Sequence, residues 1–146
     1  MPRVSIVIGS ASDKELGDKA KAVLDEFGIE SEVKILSAHR NPVQLEEYVE
    51  VCGAQVFIAI AGLSAALPGS IAARTTRPVI GVPKDAKLGG LDSLLSIVQM
   101  PRGVPVACMA IDGAENAGVF AAQILALADQ GLEKKMREYR GRWTTH

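Results

Sequence analysis

Residues 4–9 read VSIVIG, a short apolar run that decides the fold of this chain. A run of this kind is typical of a strand that is buried on both faces within a parallel sheet. Four further runs that read as strands follow it, at residues 32–36 (EVKIL), 56–60 (VFIAI), 78–82 (PVIGV) and 105–111 (PVACMAI). The sequence therefore predicts a sheet of five strands.

Helical patterns occupy the intervals between these strands. Apolar residues recur on one helical face from Leu16 to Phe27, and Gly28 then ends the helix. A second helix begins at Asn41-Pro42, since proline is tolerated in the first turn, and Gly53 closes it. Further helices are predicted at residues 67–73, 91–98, 114–128 and 133–142.

Alternating strands and helices with short crossovers place the strands parallel, with helices on both faces of the sheet. The sequence therefore predicts an α/β fold. We expect a single three-layer α/β/α domain over residues 1–146, with a doubly wound, flavodoxin-like parallel sheet.

Composition narrows the classes of function. The chain has 16 basic and 17 acidic residues, a balance that predicts no nucleic-acid partner. Its apolar runs are too short to span a membrane, and without a signal-peptide pattern we expect a cytoplasmic location. Two histidines and two distant cysteines do not have the spacing of a metal site, so no metal is expected. Neither a dinucleotide fingerprint nor a P-loop occurs, which argues against NAD and ATP.

Ligands of open parallel sheets bind at the carboxyl ends of the strands, so the residues directly after each strand are the most informative. Here these residues are unusually small and polar. We expect four segments to converge at one edge of the sheet, namely residues 9–13 (GSASD), 37–40 (SAHR), 61–66 (AGLSAA) and 81–84 (GVPK).

The first of these segments leads into a helix. A helix N-terminus offers free N–H groups and partial positive charge, which suit a phosphate, and Ser10 and Ser12 can add hydroxyl donors. The alternative is that Ser12 or Asp13 only caps the helix. The pattern leaves both interpretations open.

The second segment places His39, the only histidine away from the chain terminus, beside Arg40. Histidine can accept and release a proton near neutral pH, and arginine pairs with phosphate through two parallel hydrogen bonds. These residues predict a proton-transfer and phosphate site, with a purely structural histidine as the alternative.

The third and fourth segments are less specific. Gly62 allows the backbone to approach a flat ligand closely, or simply allows a helix to pack on the sheet. Lys84, Asp85 and Lys87 follow the fourth strand, before the paired glycines 89–90. A loop of this composition is typical either of a mobile cover over the site or of a solvated surface.

Several segments together resemble a known family. Residues 9–13, 37–40 and 61–69, the long segment 92–106 (DSLLSIVQMPRGVPV) and Asn116-Ala117 resemble the bacterial N5-carboxyaminoimidazole ribonucleotide mutases and the related aminoimidazole ribonucleotide carboxylases of purine biosynthesis. The resemblance extends from about residue 3 to residue 128, and its SAHR and SIVQMP segments are specific.

The resemblance implies a reaction and a set of site residues. The family moves a carboxylate from N5 to C4 of an imidazole ribonucleotide without a cofactor, by decarboxylation and recapture of carbon dioxide. By resemblance, His39 handles the proton, Ser10 and Arg40 hold the phosphate, and Asp13 accepts from the ribose hydroxyls. The remaining residues implied to contact the small-molecule ribonucleotide substrate are Ser12, Ser37, Ala38, Gly62, Ser64, Ala65 and Leu67. Family members form homo-octamers, which suits close packing of the Ala-rich helix 114–128 against neighbours.

One position departs from the mutase pattern. Mutases usually have a histidine in an AAHLPG segment, and this chain has Ala66 there, preceded by Ser64. The leading hypothesis is the mutase, and the alternatives are direct carboxylation of aminoimidazole ribonucleotide by carbon dioxide and a non-catalytic nucleotide-binding paralogue. A flavodoxin-like electron carrier is disfavoured, because the strand-end segments contain no aromatic residue to stack on a flavin.

Overall fold

A computed structural model describes residues 2–144 and contains one parallel sheet of five strands. The strands are Val4–Ile8 (β1), Ser31–Ile35 (β2), Val56–Ala61 (β3), Val79–Pro83 (β4) and Ala107–Cys108 (β5). Their order across the sheet is β2-β1-β3-β4-β5, so β1, β3 and β4 are internal. All neighbouring pairs are parallel, which confirms the predicted doubly wound α/β fold.

The predicted helices are present with small changes in their ends. They are Lys14–Glu26 (α1), Pro42–Val51 (α2), Leu67–Ala72 (α3), Leu91–Val98 (α4), Ala114–Ala126 (α5) and Gln130–Arg140 (α6). Short 3-10 turns cover Ala11–Asp13, Leu88–Gly90 and Gly141–Trp143. None of the helices in residues 2–144 is both long and apolar enough to cross a membrane.

Two apolar cores lie on opposite faces of the sheet. Alternate residues of β1 divide between them, because successive side chains of a strand point to opposite faces. Val4, Ile6 and Ile8 pack with α1, α5 and α6, while Val7 packs with α2, α3 and α4. The two cores therefore produce the three layers that the strand pattern predicts.

The one polar residue of β1, Ser5, is fully buried on the α2 face, and its hydroxyl needs a partner there. Its Oγ lies 2.6 Å from the Tyr48 hydroxyl, which donates in turn to Glu32 Oε1 at 2.6 Å. Burial, followed by the bond to Glu32, raises the pKa of Tyr48 well above its ordinary value. This network ties α2 to the edge of the sheet at β2.

The fifth strand is shorter than the predicted run of residues 105–111. Only Ala107 and Cys108 pair with β4, opposite Ile80 and Gly81. Pro105 has no N–H with which to extend the ladder at its start. Beyond Cys108 the pairing becomes irregular: Met109 N–H donates to the Gly81 carbonyl oxygen at 2.9 Å, and Asp112, with a positive φ of 59°, donates its N–H to the Pro83 carbonyl oxygen at 2.8 Å. The apolar pattern therefore located the strand but overestimated its length.

The small residues of α5 serve the interior of the chain. Ala114, Ala117, Ala121 and Ala122 are fully buried in the core with α1. Gly118 lies so close to α1 that a Cβ at this position would be 2.9 Å from the Ala20 carbonyl oxygen. This face therefore packs within the chain, and packing of the helix against neighbouring subunits, which the resemblance suggests, stays a prediction.

Candidate active site

A cavity of about 360 Å³ lies at the carboxyl ends of β1, β2, β3 and β4. This volume is within the range of about 300 to 1,000 Å³ for small-ligand sites. The four strand-end segments come together in its wall, which consists of Gly9, Ser10, Ser12, Asp13, Ser37, Ala38, His39, Arg40, Ala61, Gly62, Leu63, Ser64, Ala66, Leu67, Lys84 and Ala86.

The segment after β1 forms a tight polar turn. Asp13 Oδ2 accepts from the Ser10 backbone N–H at 3.1 Å and from Ser10 Oγ at 3.4 Å. The Ser10 and Ser12 hydroxyls lie 2.6 Å apart. Asp13 precedes α1, but its side chain does not accept from the first N–H groups of that helix. It accepts from the Ser10 N–H instead, as the third residue of a capping box in which Ser10 is the N-cap of the turn Ala11–Asp13. Asp13 therefore caps this turn rather than α1, while it also lines the cavity.

The segment after β2 is a turn that presents His39 and Arg40. Asn41 Oδ1 accepts from the Ser37 N–H at 2.5 Å, and Ser37 Oγ accepts from the Arg40 N–H at 3.1 Å. These bonds hold the backbone on either side of His39. The His39 and Arg40 side chains are both exposed while lining the cavity, so they lie at its solvent-facing rim.

The segment after β3 forms the apolar part of the wall. Leu63 adopts a positive φ of 57°, and the chain then enters α3 at Leu67. Leu63, Ser64, Ala66 and Leu67 all line the cavity. Ala65 is 1% exposed and belongs to the core beneath it. Of the residues that the resemblance implies for substrate contact, Ala65 is therefore the one outside the wall.

Lys84 follows β4 and reaches the segment after β1. Its Nζ lies 3.0 Å from Asp13 Oδ1 and donates to the Ser12 carbonyl oxygen at 2.7 Å. The Asp13 side chain is 7% exposed and the Lys84 side chain 24% exposed. Because the pair is largely shielded from water, its attraction is stronger than that of a surface ion pair.

Lys84 lies in a strand-end segment that the sequence predicts to converge with the others, but sequence reasoning assigned this lysine no role in the site. The sequence singled out its loop but could not separate a cover over the site from a solvated surface. In the structure Lys84 and Ala86 line the cavity, whereas Lys87 is exposed and lies outside the wall. The lysine directly after an internal strand was the available signal, since strand ends converge.

The wall combines cations, a carboxylate and hydroxyl donors. Arg40 and Lys84 carry positive charge, Asp13 carries negative charge, and Ser10, Ser12, Ser37 and Ser64 offer hydroxyl groups. Such a set suits an anionic, hydroxyl-bearing ligand, with His39 available for proton transfer. Within residues 2–144, no three His, Cys, Asp or Glu side chains lie close enough together to hold a metal ion. His146 lies outside the described residues.

Comparisons with known proteins agree with this chemistry. The family model described as AIR carboxylase matches residues 3–146. The N5-carboxyaminoimidazole ribonucleotide mutase of Methanocaldococcus jannaschii is 56% identical over 137 residues, covering 94% of this chain and 87% of that protein. The protein of the same name from Bacillus subtilis is 52% identical over 145 residues, covering 95% of this chain and 90% of its own length. A crystal structure of Treponema denticola PurE superposes with a TM-score of 0.81 at 30% identity, covering 97% of this chain and 91% of that one.

Proposed function

The chain belongs to the AIR carboxylase family, and we infer from this membership that it is an N5-carboxyaminoimidazole ribonucleotide mutase, an isomerase of purine biosynthesis. The main observation in support of this function is that relatives matching nearly the whole chain are named as mutases. The cavity supports it, because the wall offers the cations and hydroxyl groups that a ribonucleotide requires. We propose residues 1–146 as a single nucleotide-binding catalytic domain.

We propose that the reaction proceeds by decarboxylation and recapture. The bond between N5 and the carboxylate carbon breaks, its electron pair stays on nitrogen, and N5 takes up a proton as carbon dioxide is released. C4 of the imidazole then attacks the carbon dioxide, and the new carbon–carbon bond is completed when C4 loses its proton. One proton is consumed and one is released, so the two steps balance.

His39 is the residue that we propose to carry this proton. It lines the cavity at the end of β2, on a turn whose backbone is held by Ser37 and Asn41. As an imidazolium it protonates N5, and as an imidazole it accepts the proton from C4. Histidine suits both steps because its ordinary pKa lies near neutral pH.

The remaining wall residues bind the nucleotide in this proposal. Arg40 and Ser10 hold the phosphate, and Asp13 accepts from the ribose hydroxyls. Ser12, Ser37 and Ala38 extend this polar side, while Gly62, Ser64 and Leu67 face the imidazole and the carbon dioxide. Ala65 supports this apolar side from the core beneath it.

Direct carboxylation of aminoimidazole ribonucleotide is the second candidate function, and Ala66 is the observation that favours it. This methyl group lines the cavity at the position where the mutase pattern has a histidine, and it leaves His39 as the one histidine of the wall. A site without the second imidazole has more room beside the ring, and free carbon dioxide could enter there.

A comparison of two substrates tests the function. Formation of the C4-carboxylated nucleotide is followed with purified protein from N5-carboxyaminoimidazole ribonucleotide, and separately from aminoimidazole ribonucleotide with dissolved carbon dioxide. We expect rapid conversion of the N5 compound and a requirement for very high carbon dioxide in the other reaction. Rapid conversion of aminoimidazole ribonucleotide at modest carbon dioxide would make the chain a carboxylase. Binding of either nucleotide without turnover would indicate the non-catalytic paralogue.

We propose that the enzyme assembles as a homo-octamer in the cytoplasm. The support from the structure is an apolar stripe on α4, where Leu91, Leu95 and Val98 are each about half exposed and share one helical face. Light scattering coupled to size-exclusion chromatography should give eight times the chain mass of 15.4 kDa. A monomer at micromolar concentration would contradict the assembly.

A further inference from the structure

Lys84 joins two strand ends that are not neighbours in the sheet. It follows β4, whereas its partners Ser12 and Asp13 follow β1, and β3 lies between these strands. The lysine side chain therefore crosses the carboxyl end of β3 to reach them. Gly62 lies at that end, and a Cβ there would be 3.5 Å from Lys84 Cβ and 3.1 Å from Ala86 Cβ. A side chain at Gly62 would therefore crowd Ala86, in the loop that carries Lys84.

The backbone of Lys84 is held on both sides. Its N–H donates to the Ala61 carbonyl oxygen at 3.0 Å, and its own carbonyl oxygen accepts from Ser93 Oγ at 2.8 Å. Ser93 is fully buried. A side chain that starts from a fixed backbone loses less entropy when it orders, so the direction of this lysine is set before a ligand arrives.

The contacts of Asp13 show what the lysine does. Asp13 Oδ2 is held by Ser10, and Oδ1 is held by Lys84. A nearly buried carboxylate with one oxygen unpaired would be costly, and it would rotate to recover partners. Lys84 therefore determines which lone pairs of Asp13 remain for a ligand.

We propose that Lys84 is a positioning residue for the mutase reaction, which acts by holding Asp13 and the turn after β1 in the orientation that receives the ribose hydroxyls. This inference rests on the proposed function, since it concerns the same site. Because it acts through Asp13 on nucleotide binding, its loss raises KM more than it lowers kcat.

A double-mutant cycle tests the proposal. Lys84→Met removes the charge at similar length, Asp13→Asn removes the carboxylate, and the third variant carries both changes. We expect Lys84→Met to lower kcat/KM by about 10- to 100-fold, mostly through KM. The loss in the double variant should be much smaller than the product of the two single losses, because the lysine acts mainly through the Asp13 carboxylate and keeps only its bond to the Ser12 carbonyl oxygen once that partner is changed. Lys84→Arg should recover most of the activity.

Lys87→Met is the matched control, since it removes the same charge from the same loop outside the cavity wall. It should leave both kinetic constants unchanged. Lys84→Met alone could fail to fold because Asp13 is left unpaired. The double variant removes that carboxylate, so its comparison with Asp13→Asn still shows whether Lys84 acts through Asp13.

Two results would overturn the proposal. Wild-type kinetics in Lys84→Met with a lower Tm would show that the ion pair only stabilises the fold. A double variant weaker than Asp13→Asn by the full factor of Lys84→Met would show that the lysine acts independently. Dissociation constants for aminoimidazole ribonucleotide, measured on the same variants, give the same comparison without turnover. If the wild-type protein binds the nucleotide but does not convert it, only the proposed mutase function is refuted. Absence of binding by the wild type would refute both.

Discussion

At position 39, a single imidazole is proposed to serve both proton transfers. Replacing His39 with asparagine keeps a polar side chain of similar size on the turn but removes the titratable group. We expect turnover to be lost while the dissociation constant for aminoimidazole ribonucleotide stays within about threefold of wild type. Single-turnover kinetics and isothermal titration measure the two properties separately. Retained activity would exclude His39 as the proton carrier.

Arg40 neighbours His39 but has a different proposed role. Arg40→Ala should raise KM, with kcat largely preserved, because phosphate contacts bind the ground state and the transition state alike. The loss should be about 10- to 100-fold in kcat/KM, in line with the loss of one charge-assisted contact. Steady-state rates measured against substrate concentration give KM and kcat separately. Arg40→Lys keeps the positive charge but loses the paired hydrogen bonds of the guanidinium, so it separates these two contributions. A fall in kcat at constant KM would contradict the phosphate role.

The residues of the site differ in how far the sequence could predict them. Ser10, Asp13, His39 and Arg40 lie in the segments between a strand and the next α-helix, so the strand-end rule and their own chemistry identified them. The contact between Lys84 and Ser12 joins residues 72 positions apart, and no local pattern contains that distance. Ala65 lies in the core, and the nearby Leu63 adopts a positive φ, a backbone turn that a run of small residues does not disclose.

Among the elements, α5 packs closely against α1 at Gly118. Gly118→Ala places a Cβ 2.9 Å from the Ala20 carbonyl oxygen and 3.0 Å from Val23 Cβ, and neither backbone nor Cβ can move aside easily. We expect the free energy of unfolding to fall by about 1 to 3 kcal/mol, even though alanine favours helix by about 1 kcal/mol.

Gly141→Ala provides the control for this helix contact. Gly141 has ordinary helical dihedral angles, and a Cβ there has nothing within 4 Å among the described residues. Its unfolding midpoint in urea should match or slightly exceed that of wild type. An equal loss of stability in both variants would show that the close approach of α5 to α1 is not what Gly118 provides.

The elements also show where apolar pattern is a good predictor and where it fails. β1, β3 and β4 are buried on both faces, so the continuous apolar runs of the sequence match the residue ranges of these strands closely. β5 lies at an edge and pairs on one side only, so its apolar run did not reveal where the pairing stops. The Ala-rich pattern of α5 predicted tight packing correctly but could not say which surface it packs against.

At the scale of the whole molecule, a bound nucleotide should contact residues at the carboxyl ends of four strands at once. Aminoimidazole ribonucleotide at 100 times its dissociation constant should raise the free energy of unfolding by about 2.7 kcal/mol, because it binds only the folded chain. Thermal unfolding followed by circular dichroism measures the change as a higher Tm. The unphosphorylated riboside at the same concentration serves as the control and should give a much smaller shift. Equal shifts would mean that the phosphate is not recognised.

The apolar wall of the cavity has a consequence for how this family diversifies. Leu63, Ser64 and Ala66 line the cavity, yet none of them belongs to the buried cores that stabilise the fold. Mutations at these positions can therefore alter the shape and polarity of the cavity with little loss of folding stability. Natural selection can vary the chemistry of the cavity here while the strands beneath remain unchanged. The loop after β3 can therefore vary in sequence while the sheet beneath it keeps its structure.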